Sequence, residues 1–326
     1  MPRTPRPLPT TLSSGFTTAQ ARAAGVSPRR LRAGDLERPF HGARLRPLTL
    51  PFDDAAPLAQ DRRMRQLVRA RAEAAAGVLT PSAAFTGWTA AAAWGAPLPD
   101  GFDPERDLDV VTPHPHRAPR GRGVHGRELR AHLFSTVTHE GLRVTSPAST
   151  WALLAAELSP RWLTIVGDYL VRVPRCERGI PQPHRQLTMP ETLARAAHET
   201  GRRHRARMEA ALDDIRVGSF SRLETEYRLD ASAAGLPDLE IDVEIRDEHG
   251  RLLGIADGVY ARYGVIVEIE GDHHRTSRRQ WNRDIDRLAA FAAEGWEVIR
   301  LTAARIRGGS ACALVAQALR RHGWPG

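Results

Sequence analysis

The sequence predicts an α/β protein, α+β overall, and three observations support this class. Residues 239–246 alternate apolar and charged side chains, which is the pattern of a half-buried strand. Residues 265–270 are rich in β-branched side chains and lie between two glycines, which predicts another strand. Beyond residue 277, apolar side chains recur at helical spacing, at Trp281, Ile285, Leu288 and Phe291.

Length and composition describe a globular protein of two or three domains. The chain has 326 residues, of which 41% are hydrophobic and 26% charged. No apolar run approaches the roughly 20 residues of a membrane span, and the N-terminus lacks the apolar core of a signal peptide. Cys176 and Cys312 are too few for a disulfide framework or a thiolate metal cage. We therefore expect a cytoplasmic protein without a membrane partner, and the oligomeric state stays open.

The net charge is distributed unevenly along the chain. The formal charge is +9, and residues 1–50 contain nine arginines against two acids. Residues 219–326 contain 15 arginines and 17 acids. The basic excess at the front of the chain indicates an anionic partner for that segment. Because the chain contains no lysine, a catalytic lysine is excluded.

Residues 16–46 carry two helix signals separated by a turn. Thr17 or Thr18 can cap a short helix that ends at Gly25, and Ser27 can cap a second helix. A small β wing could follow over residues 36–46. A helix, a tight turn and an arginine-bearing helix form the helix-turn-helix pattern, which predicts contacts with the phosphates of double-stranded DNA. The arginines concerned are Arg29, Arg30, Arg32 and Arg44.

The alternative for this segment is a small helical cap with a solvated basic face. The agreement between the pattern and the local charge favours DNA binding. The segment also resembles the winged-helix N-domain of abortive-infection type IV antitoxins. This resemblance implies an N-terminal winged helix over residues 1–50.

The region 60–175 is predicted to be a middle α+β domain. Helix signals over 61–76 and 81–94 precede strand signals at 108–112 and 142–145, and further helices are predicted from 147 onward. The region resembles the domain that follows the winged helix in those antitoxins, and its role stays open. Residues 176–189 are predicted to be a linker, and a long basic helix is expected within the connecting segment 190–218.

Two motifs in the middle region are weak. Gly121, Gly123 and Gly126 match G-x-G-x-x-G, but their flanks lack the strand and helix that a dinucleotide site needs, so a flexible basic loop is expected. Asp107 and Asp109 form an Asp-x-Asp pair without a preceding Gly-Ser motif. We expect these two to be surface acids.

The C-terminal region, 219–326, contains the strongest candidate site. Asp257 ends one predicted strand, and Glu268 and Glu270 lie two residues apart on the next, so they share a face. An antiparallel return could bring the three carboxylates together, which suits Mg²⁺ or Mn²⁺. His273, His274 and Arg275 follow directly and can donate to a phosphate or transfer a proton. The group therefore predicts a phosphodiester-cleaving site.

A helix precedes these strands, and Ser221-x-x-Glu224 at its start reads as a capping box. The predicted order here is a helix, three meandering strands, a helix, a strand and a helix. This is the core order of restriction-endonuclease-like nucleases, in which helices flank a mixed sheet. Within this order the chain resembles the very-short-patch-repair (Vsr)-like branch of the PD-(D/E)XK endonuclease superfamily. The segments concerned are Ser221–Glu224, Ala256–Asp257, Val267–Arg275, Trp281–Arg287 and Gly295–Arg300.

The resemblance implies roles for individual residues. Glu224, Asp257, Glu268 and Glu270 would surround a divalent metal, and His274 would be the catalytic or phosphate-contacting imidazole. The chain departs from the superfamily pattern in having Glu270 where the motif has lysine, and in having Gly258 directly after Asp257.

Two functional hypotheses follow from the sequence. The first is a metal-dependent DNA endonuclease that an N-terminal winged helix delivers to duplex DNA, with Arg275 as a further phosphate contact. The second is a DNA-binding regulator or antitoxin in which a degenerate nuclease-like domain only serves as a scaffold. Cleavage in the presence of Mg²⁺ or Mn²⁺ separates the two.

Overall fold

The chain divides into two units whose boundaries differ from the predicted ones. The computed structural model describes residues 5–47, 57–176, 178–270 and 278–326. The first unit contains the described residues up to 55, together with 59–158 and 192–208. The second contains the described residues of 56–58, 159–191 and 209–326. The predicted N-terminal and middle domains therefore fall in one unit, and the helix after residue 159 belongs with the C-terminal residues.

The described residues form eleven α-helices and twelve strands, and these confirm the predicted α+β class. In chain order they are β1 (Gly15–Thr17), α1 (Thr18–Ala23), β2 (Ala43–Leu45), α2 (Pro57–Ala76), β3 (Ala84–Phe85), α3 (Gly87–Trp94), β4 (Leu108–Pro113), β5 (Arg120–Gly121), β6 (Val124–Leu129), β7 (Thr136–His139), β8 (Leu142–Thr145), α4 (Pro147–Leu154), α5 (Pro160–Val171), α6 (Pro190–Ala197), α7 (Arg205–Asp214), α8 (Arg222–Ala233), β9 (Glu240–Arg246), β10 (Leu252–Tyr260), β11 (Val265–Glu270), α9 (Arg278–Ala293), β12 (Glu297–Thr302), α10 (Ala303–Arg307) and α11 (Ala311–Arg321).

The N-terminal segment of the first unit contains one α-helix and one shorter turn. Thr17, one of the two residues predicted to cap this helix, caps α1 through a complete capping box with Gln20. The Ser27 hydroxyl accepts the Arg30 amide at 3.2 Å, but the helical turn that follows has Arg29 as its N-cap, without a side-chain cap bond, so the predicted Ser27 cap is wrong. The predicted second helix is wrong in length, since only a 3₁₀ turn forms at Arg30–Arg32. Backbone at Ala33 is already extended, and a glycine follows it, so the helix does not continue.

Strands β1 and β2 pair antiparallel beside this turn, and a single bridge joins Glu37 to Leu45. These pairs therefore include some of the residues 36–46 that were predicted to form a β wing. A small apolar core lies between the turn and the strands and consists of Phe16, Ala21, Val26, Leu31 and Leu36.

A six-stranded mixed sheet in the order β5-β6-β4-β3-β8-β7 forms the centre of the first unit. Strand β4 is interior, and Asp109 on it is only 2% exposed. The prediction of a surface acid is therefore wrong for Asp109. Its carboxylate accepts the Trp88 amide at the start of α3 at 3.0 Å and lies 3.0 Å from Nδ1 of His125. Helix and strand packing brings these partners together, which sequence spacing alone does not show.

The glycine-rich segment in the same sheet is also more ordered than predicted. Residues 120–121 and 124–129 are the paired strands β5 and β6, not a flexible loop. Gly126 packs directly against residue Pro119, whose carbonyl oxygen would lie 2.1 Å from an added Cβ. Glycine is therefore required there for close backbone packing.

The second unit contains a four-stranded sheet in the order β12-β11-β10-β9. Strands β9, β10 and β11 form an antiparallel meander, and β12 joins β11 in parallel after α9. The observed bounds of α8, the four strands, α9 and α11 lie close to those predicted. The strand at 265–270 and the shared face of Glu268 and Glu270 are confirmed.

Each face of this sheet packs against different helices. Val265, Val267 and Ile269 join a core with Leu223 and Tyr227 of α8 and with residues of α11. Ile266 of the same strand joins a separate core with Phe291 of α9. Because side chains alternate along a strand, Glu268 and Glu270 share the α9 face with Ile266.

Two predictions between these elements need correction. The residues predicted to be a linker are held in place, because Cys176 donates its amide to the Ile180 carbonyl at 2.9 Å and Gln182 donates to Pro174 at 2.7 Å. The predicted single helix after residue 190 is two helices, α6 and α7. Between them Gly201 and His204 have φ values of 78° and 60°, which a continuous right-handed helix does not allow.

No helix within the described residues combines the length and the apolar composition needed to cross a membrane.

Candidate active site

Glu224 is fixed at the beginning of α8. Ser221 is the N-cap, and its hydroxyl accepts the Glu224 amide at 3.2 Å. The Glu224 carboxylate turns back and accepts the Phe220 amide at 2.7 Å, one residue before the cap. The predicted cap is confirmed, and its acidic side chain is bound to Phe220 instead of to the cap residue itself. Glu224 is 9% exposed, so the helix start buries a carboxyl group.

Asp257 lies where β10 and β11 separate. Gly258 and Val267 are the last directly paired residues at this end of the two strands. Beyond them, Oδ2 of Asp257 accepts the Ile269 amide at 2.7 Å. The side chain thus takes the acceptor role that a backbone carbonyl would have in a continued ladder. This bond fixes the carboxylate at the fork.

Glu224 and Asp257 line one open cleft, together with Asp242 of β9. The cleft has a volume of about 390 Å³, and Arg175, Cys176 and Gly179 also line it. Asp242 has a φ of 57°, an uncommon backbone conformation for a non-glycine residue.

The charges in this cleft are compensated unevenly. Arg175 binds Asp242 through Nε and Nη2, at 2.8 and 2.9 Å from the two carboxylate oxygens. The pKa of Glu224 is raised well above its usual value, first because the carboxyl is buried and then because of the negative charge of Asp257. A smaller contribution in the same direction comes from Asp242. The cleft therefore favours a proton or a cation at Glu224.

Glu268 lies on the α9 face and is paired with an arginine. Arg287 of α9 donates from Nη1 to Oε1 at 3.0 Å and from Nη2 to Oε2 at 2.8 Å. Nη1 of Arg287 also donates to the Ile255 carbonyl at 2.9 Å. Glu268 is 7% exposed, so this is a largely buried, bidentate ion pair.

Glu270 is also paired, with Arg300 of β12 at 2.5 Å. The structure thus separates the acids that the sequence placed on one patch. Asp257 lines the cleft with Glu224, whereas Glu268 and Glu270 lie on the α9 face with arginines. In keeping with this separation, the described part of the chain brings no three His, Cys, Asp or Glu side chains close enough to hold a metal ion.

A break in strand alternation accounts for the separation. Ala256 and Val259 are three residues apart and yet pack in the same core. The usual alternation of faces is therefore interrupted at Asp257 and Gly258. Gly258 packs so closely that an added Cβ would lie 2.9 Å from Leu239. His274 and Arg275, the predicted imidazole and phosphate contact, lie outside the described residues.

A buried network that the sequence analysis missed holds α8 in place. Asp168 of α5 is fully buried, and its Oδ2 accepts from Thr225 at 2.9 Å and from Arg228 at 2.7 Å. Its Oδ1 accepts the Arg216 amide at 2.8 Å. Burial raises the pKa of Asp168, and Arg228 opposes that shift. The sequence signal for this network was a single acidic residue, Asp168, within the apolar sequence of α5.

The four predicted DNA-contacting arginines of the N-terminal segment divide into two kinds. Arg30 forms a bidentate pair with Asp35 at 2.8 and 2.7 Å. Arg44 donates to the carbonyl of Leu31 at 2.7 Å, and burial lowers its pKa. Arg29 and Arg32 are exposed. Arg30 and Arg44 therefore stabilise the segment itself, and Arg29 and Arg32 are accessible to a ligand.

Comparisons of this chain with models of known protein families, with curated proteins and with solved structures found no match. The functional argument therefore depends on the residues themselves.

Proposed function

We propose that the second unit is a divalent-cation-dependent nuclease that hydrolyses phosphodiester bonds of double-stranded DNA. The observation that carries the proposal is the acidic cleft at the strand fork, where Asp257 is fixed beside the buried Glu224. The order of helices and strands around this fork is also the one expected for restriction-endonuclease-like nucleases.

The chemistry of the cleft fits Mg²⁺ or Mn²⁺ in part. Glu224 and Asp257 offer carboxylate oxygens, which are the donors these hard cations prefer. The raised pKa of Glu224 reflects a buried carboxyl near another negative charge, and a cation would compensate that charge as a proton does. When bound, such a cation offsets negative charge on the phosphate that is attacked. Glu268 and Glu270 lie on the α9 face, paired with Arg287 and Arg300, and do not line this cleft.

The chain's own side chains have distinct tasks in this proposal. The Ile269 amide holds Asp257 in one orientation, so this carboxylate is pre-positioned. Asp168 holds α8 through Thr225 and Arg228, and Glu224 adjoins Thr225 on that helix. Asp168 is therefore a positioning residue for the cleft.

The exposed arginines of the N-terminal segment support duplex DNA as the partner. Arg29 and Arg32 lie on one short turn and are exposed. The nine arginines of residues 1–50 provide the positive field that favours a polyanion. In this proposal the N-terminal segment contributes affinity, and the cleft performs the cleavage.

A plasmid-nicking assay tests the proposal. The full chain is incubated with supercoiled DNA and Mg²⁺ or Mn²⁺, alongside Asp257→Asn and a control variant, Glu294→Gln, which alters an exposed acid of the same unit. We expect cation-dependent nicking by the wild type and the control, and at least a hundredfold slower nicking by Asp257→Asn, roughly the loss of a few kcal/mol of transition-state stabilisation. Unchanged nicking by Asp257→Asn would reject the site.

A second candidate function is a DNA-binding regulator without catalysis. The observation that favours it is the pairing of Glu268 and Glu270 with Arg287 and Arg300, which leaves these acids neutralised by the protein itself. Duplex binding without nicking in either cation would support the regulator and contradict the nuclease.

A further inference from the structure

An arginine-rich segment of the first unit has no task in the proposed nuclease. Residues 113–130 contain five arginines and one acid, Glu128, which lies 2.6 Å from Nδ1 of His114. One of the arginines, Arg127, pairs with Glu157 at 3.2 Å. The other four are exposed, and none of their side chains forms an ion pair with a residue that the structure describes; they are Arg117, Arg120, Arg122 and Arg130. Positive charge on this segment is therefore left uncompensated by the described part of the chain.

Backbone pairing holds the centre of this segment, the hairpin β5–β6, in one shape. Strands β5 and β6 pair antiparallel, with Arg120 opposite His125, and β6 pairs along its whole length with β4. The imidazole of His125 lies 3.0 Å from the carboxylate of Asp109, which is buried, so the strand beside Arg120 is anchored in the sheet. Side chains on such a rigid hairpin lose less conformational freedom on binding than side chains on a mobile loop.

The tip of the hairpin packs against the N-terminal segment. Arg122 and Gly123 connect the two strands, and an added Cβ at Gly123 would lie 2.7 Å from the ring of Phe40. Two residues before Phe40, Arg38 donates from Nη2 to the carbonyl of Arg32 at 3.1 Å. The hairpin tip and the arginine-bearing 3₁₀ turn are thus joined through Arg38 and Phe40, within one unit.

Exposed guanidinium groups on a rigid support are suited to the phosphates of a nucleic acid. One guanidinium can donate two parallel hydrogen bonds to a single phosphate. The phosphates of duplex DNA form a regular series of negative charges, so adjoining basic segments can neutralise several of them together. The N-terminal turn and the hairpin adjoin in this way.

We propose that the hairpin β5–β6 is a second contact of the first unit with the phosphates of double-stranded DNA, made by Arg120 and Arg122. The proposal rests on the proposed function for its partner, because the same duplex contacts the exposed arginines of the N-terminal segment. It assigns a task to the middle region, whose role the sequence left open. The hairpin adds affinity and takes no part in cleavage.

Fluorescence anisotropy with a labelled DNA duplex of about 20 base pairs, two helical turns, tests this proposal. The full chain is titrated in EDTA, which prevents cation-dependent cleavage, at several salt concentrations. We compare the wild type with Arg120→Gln, Arg122→Gln and the variant that combines them. The control is Arg143→Gln, which removes an exposed arginine from β8, a strand separated from β6 by β4 and β3.

The combined variant should bind on the order of tenfold more weakly than the wild type at low salt, because two phosphate contacts are lost. Its slope of log K against log salt should be smaller by about 2, and that of each single variant by about 1. Arg143→Gln should bind as the wild type does. A combined variant with the affinity and the slope of the wild type would overturn the proposal.

A charge-preserving variant separates phosphate contact from an effect on folding. Arg120→Lys combined with Arg122→Lys keeps both positive charges, so the salt slope should stay close to that of the wild type. A slope that falls as far in this lysine variant as in the glutamine variant would contradict direct contact between these charges and the DNA.

Failure of the proposed nuclease gives a different result from failure of this proposal. If the glutamine variant loses affinity and slope but the wild type does not nick DNA, the hairpin contact stands and the nuclease is rejected. If the wild type nicks DNA and the glutamine variant binds as the wild type does, the nuclease stands and the hairpin contact is rejected.

Discussion

Replacing Asp168 with alanine is the sharpest test of how α8 is positioned. The wild-type carboxylate is fully buried and accepts from Arg228, Thr225 and the Arg216 amide at 2.7 to 2.9 Å. Asp168→Ala removes the negative partner and leaves the Arg228 guanidinium in a buried position. Nε of Arg228 already lacks a hydrogen-bond partner among the described residues, so the remaining network offers it little compensation.

The expected loss of unfolding free energy is large for a single substitution. Removing one partner of a buried ion pair costs about 3–5 kcal/mol. In a unit of roughly 150 residues each kcal/mol corresponds to about 2–4 °C in the unfolding temperature. The transition of the second unit should therefore move down by about 6 to 20 °C.

Scanning calorimetry of the full chain measures this shift, and a double-mutant cycle identifies its cause. Arg228→Met and the double variant Asp168→Ala with Arg228→Met complete the cycle. The double variant has no unpaired buried charge. Its loss of unfolding free energy should therefore be smaller than the sum of the losses in the two single variants, with a coupling energy above about 2 kcal/mol. Losses that add within about 0.5 kcal/mol would refute the buried-pair explanation.

Two further predictions concern the cleft and the N-terminal segment. The pKa of Glu224 is raised well above its usual value of 4.5, because the carboxyl is buried and lies near Asp257. The wild type should therefore lose stability as the pH rises above 4.5 and through the higher pKa of the folded state. Glu224→Gln should therefore be more stable than the wild type at pH 8, and unfolding temperatures should converge near pH 4; an advantage that does not depend on pH would contradict this reasoning. Arg29→Ala combined with Arg32→Ala should weaken duplex binding and reduce the slope of log K against log salt by about 2 in fluorescence anisotropy. Arg30→Ala should mainly lower thermal stability. An unchanged slope of log K against log salt in the variant with both Arg29→Ala and Arg32→Ala would exclude the exposed arginines from the DNA interface.

Local signals in the sequence were sufficient for most elements of the second unit. Strand 265–270 is β-branched and bounded by glycines, and Ser221 starts α8 with a side-chain cap, so each element is specified by its own residues. The alternation rule also placed Glu268 and Glu270 on one face. These inferences succeeded because each depends on neighbours within a few positions.

The composition of the site depends on contacts that local patterns do not encode. Glu268 meets Arg287 only because α9 folds back over the sheet, 19 residues later in the chain. Asp257 departs from the expected face because the alternation of side chains is interrupted between Ala256 and Val259. Asp109 is buried for a similar reason, since tertiary packing gives it partners on α3 and β6.

The arginine-bearing turn shows a different limit of sequence reasoning. The Ser27 hydroxyl accepts the Arg30 amide, yet a single 3₁₀ turn follows at Arg30–Arg32, and its N-cap is Arg29. Asp35 binds back to Arg30, so the segment after the turn is held by a tertiary ion pair instead of by further helix. A residue that can cap a helix therefore does not determine where a helix starts or how long it is.

The measurement that tests the central claim most directly is the initial rate of DNA nicking as a function of Mn²⁺ concentration, for the wild type and Asp257→Asn at equal DNA occupancy. We predict a saturable dependence on Mn²⁺ for the wild type and a rate at least a hundredfold lower for Asp257→Asn across the whole range. A rate independent of Mn²⁺, or an Asp257→Asn curve that coincides with the wild type, would contradict the assignment of the cleft as a cation-dependent phosphodiester-cleaving site.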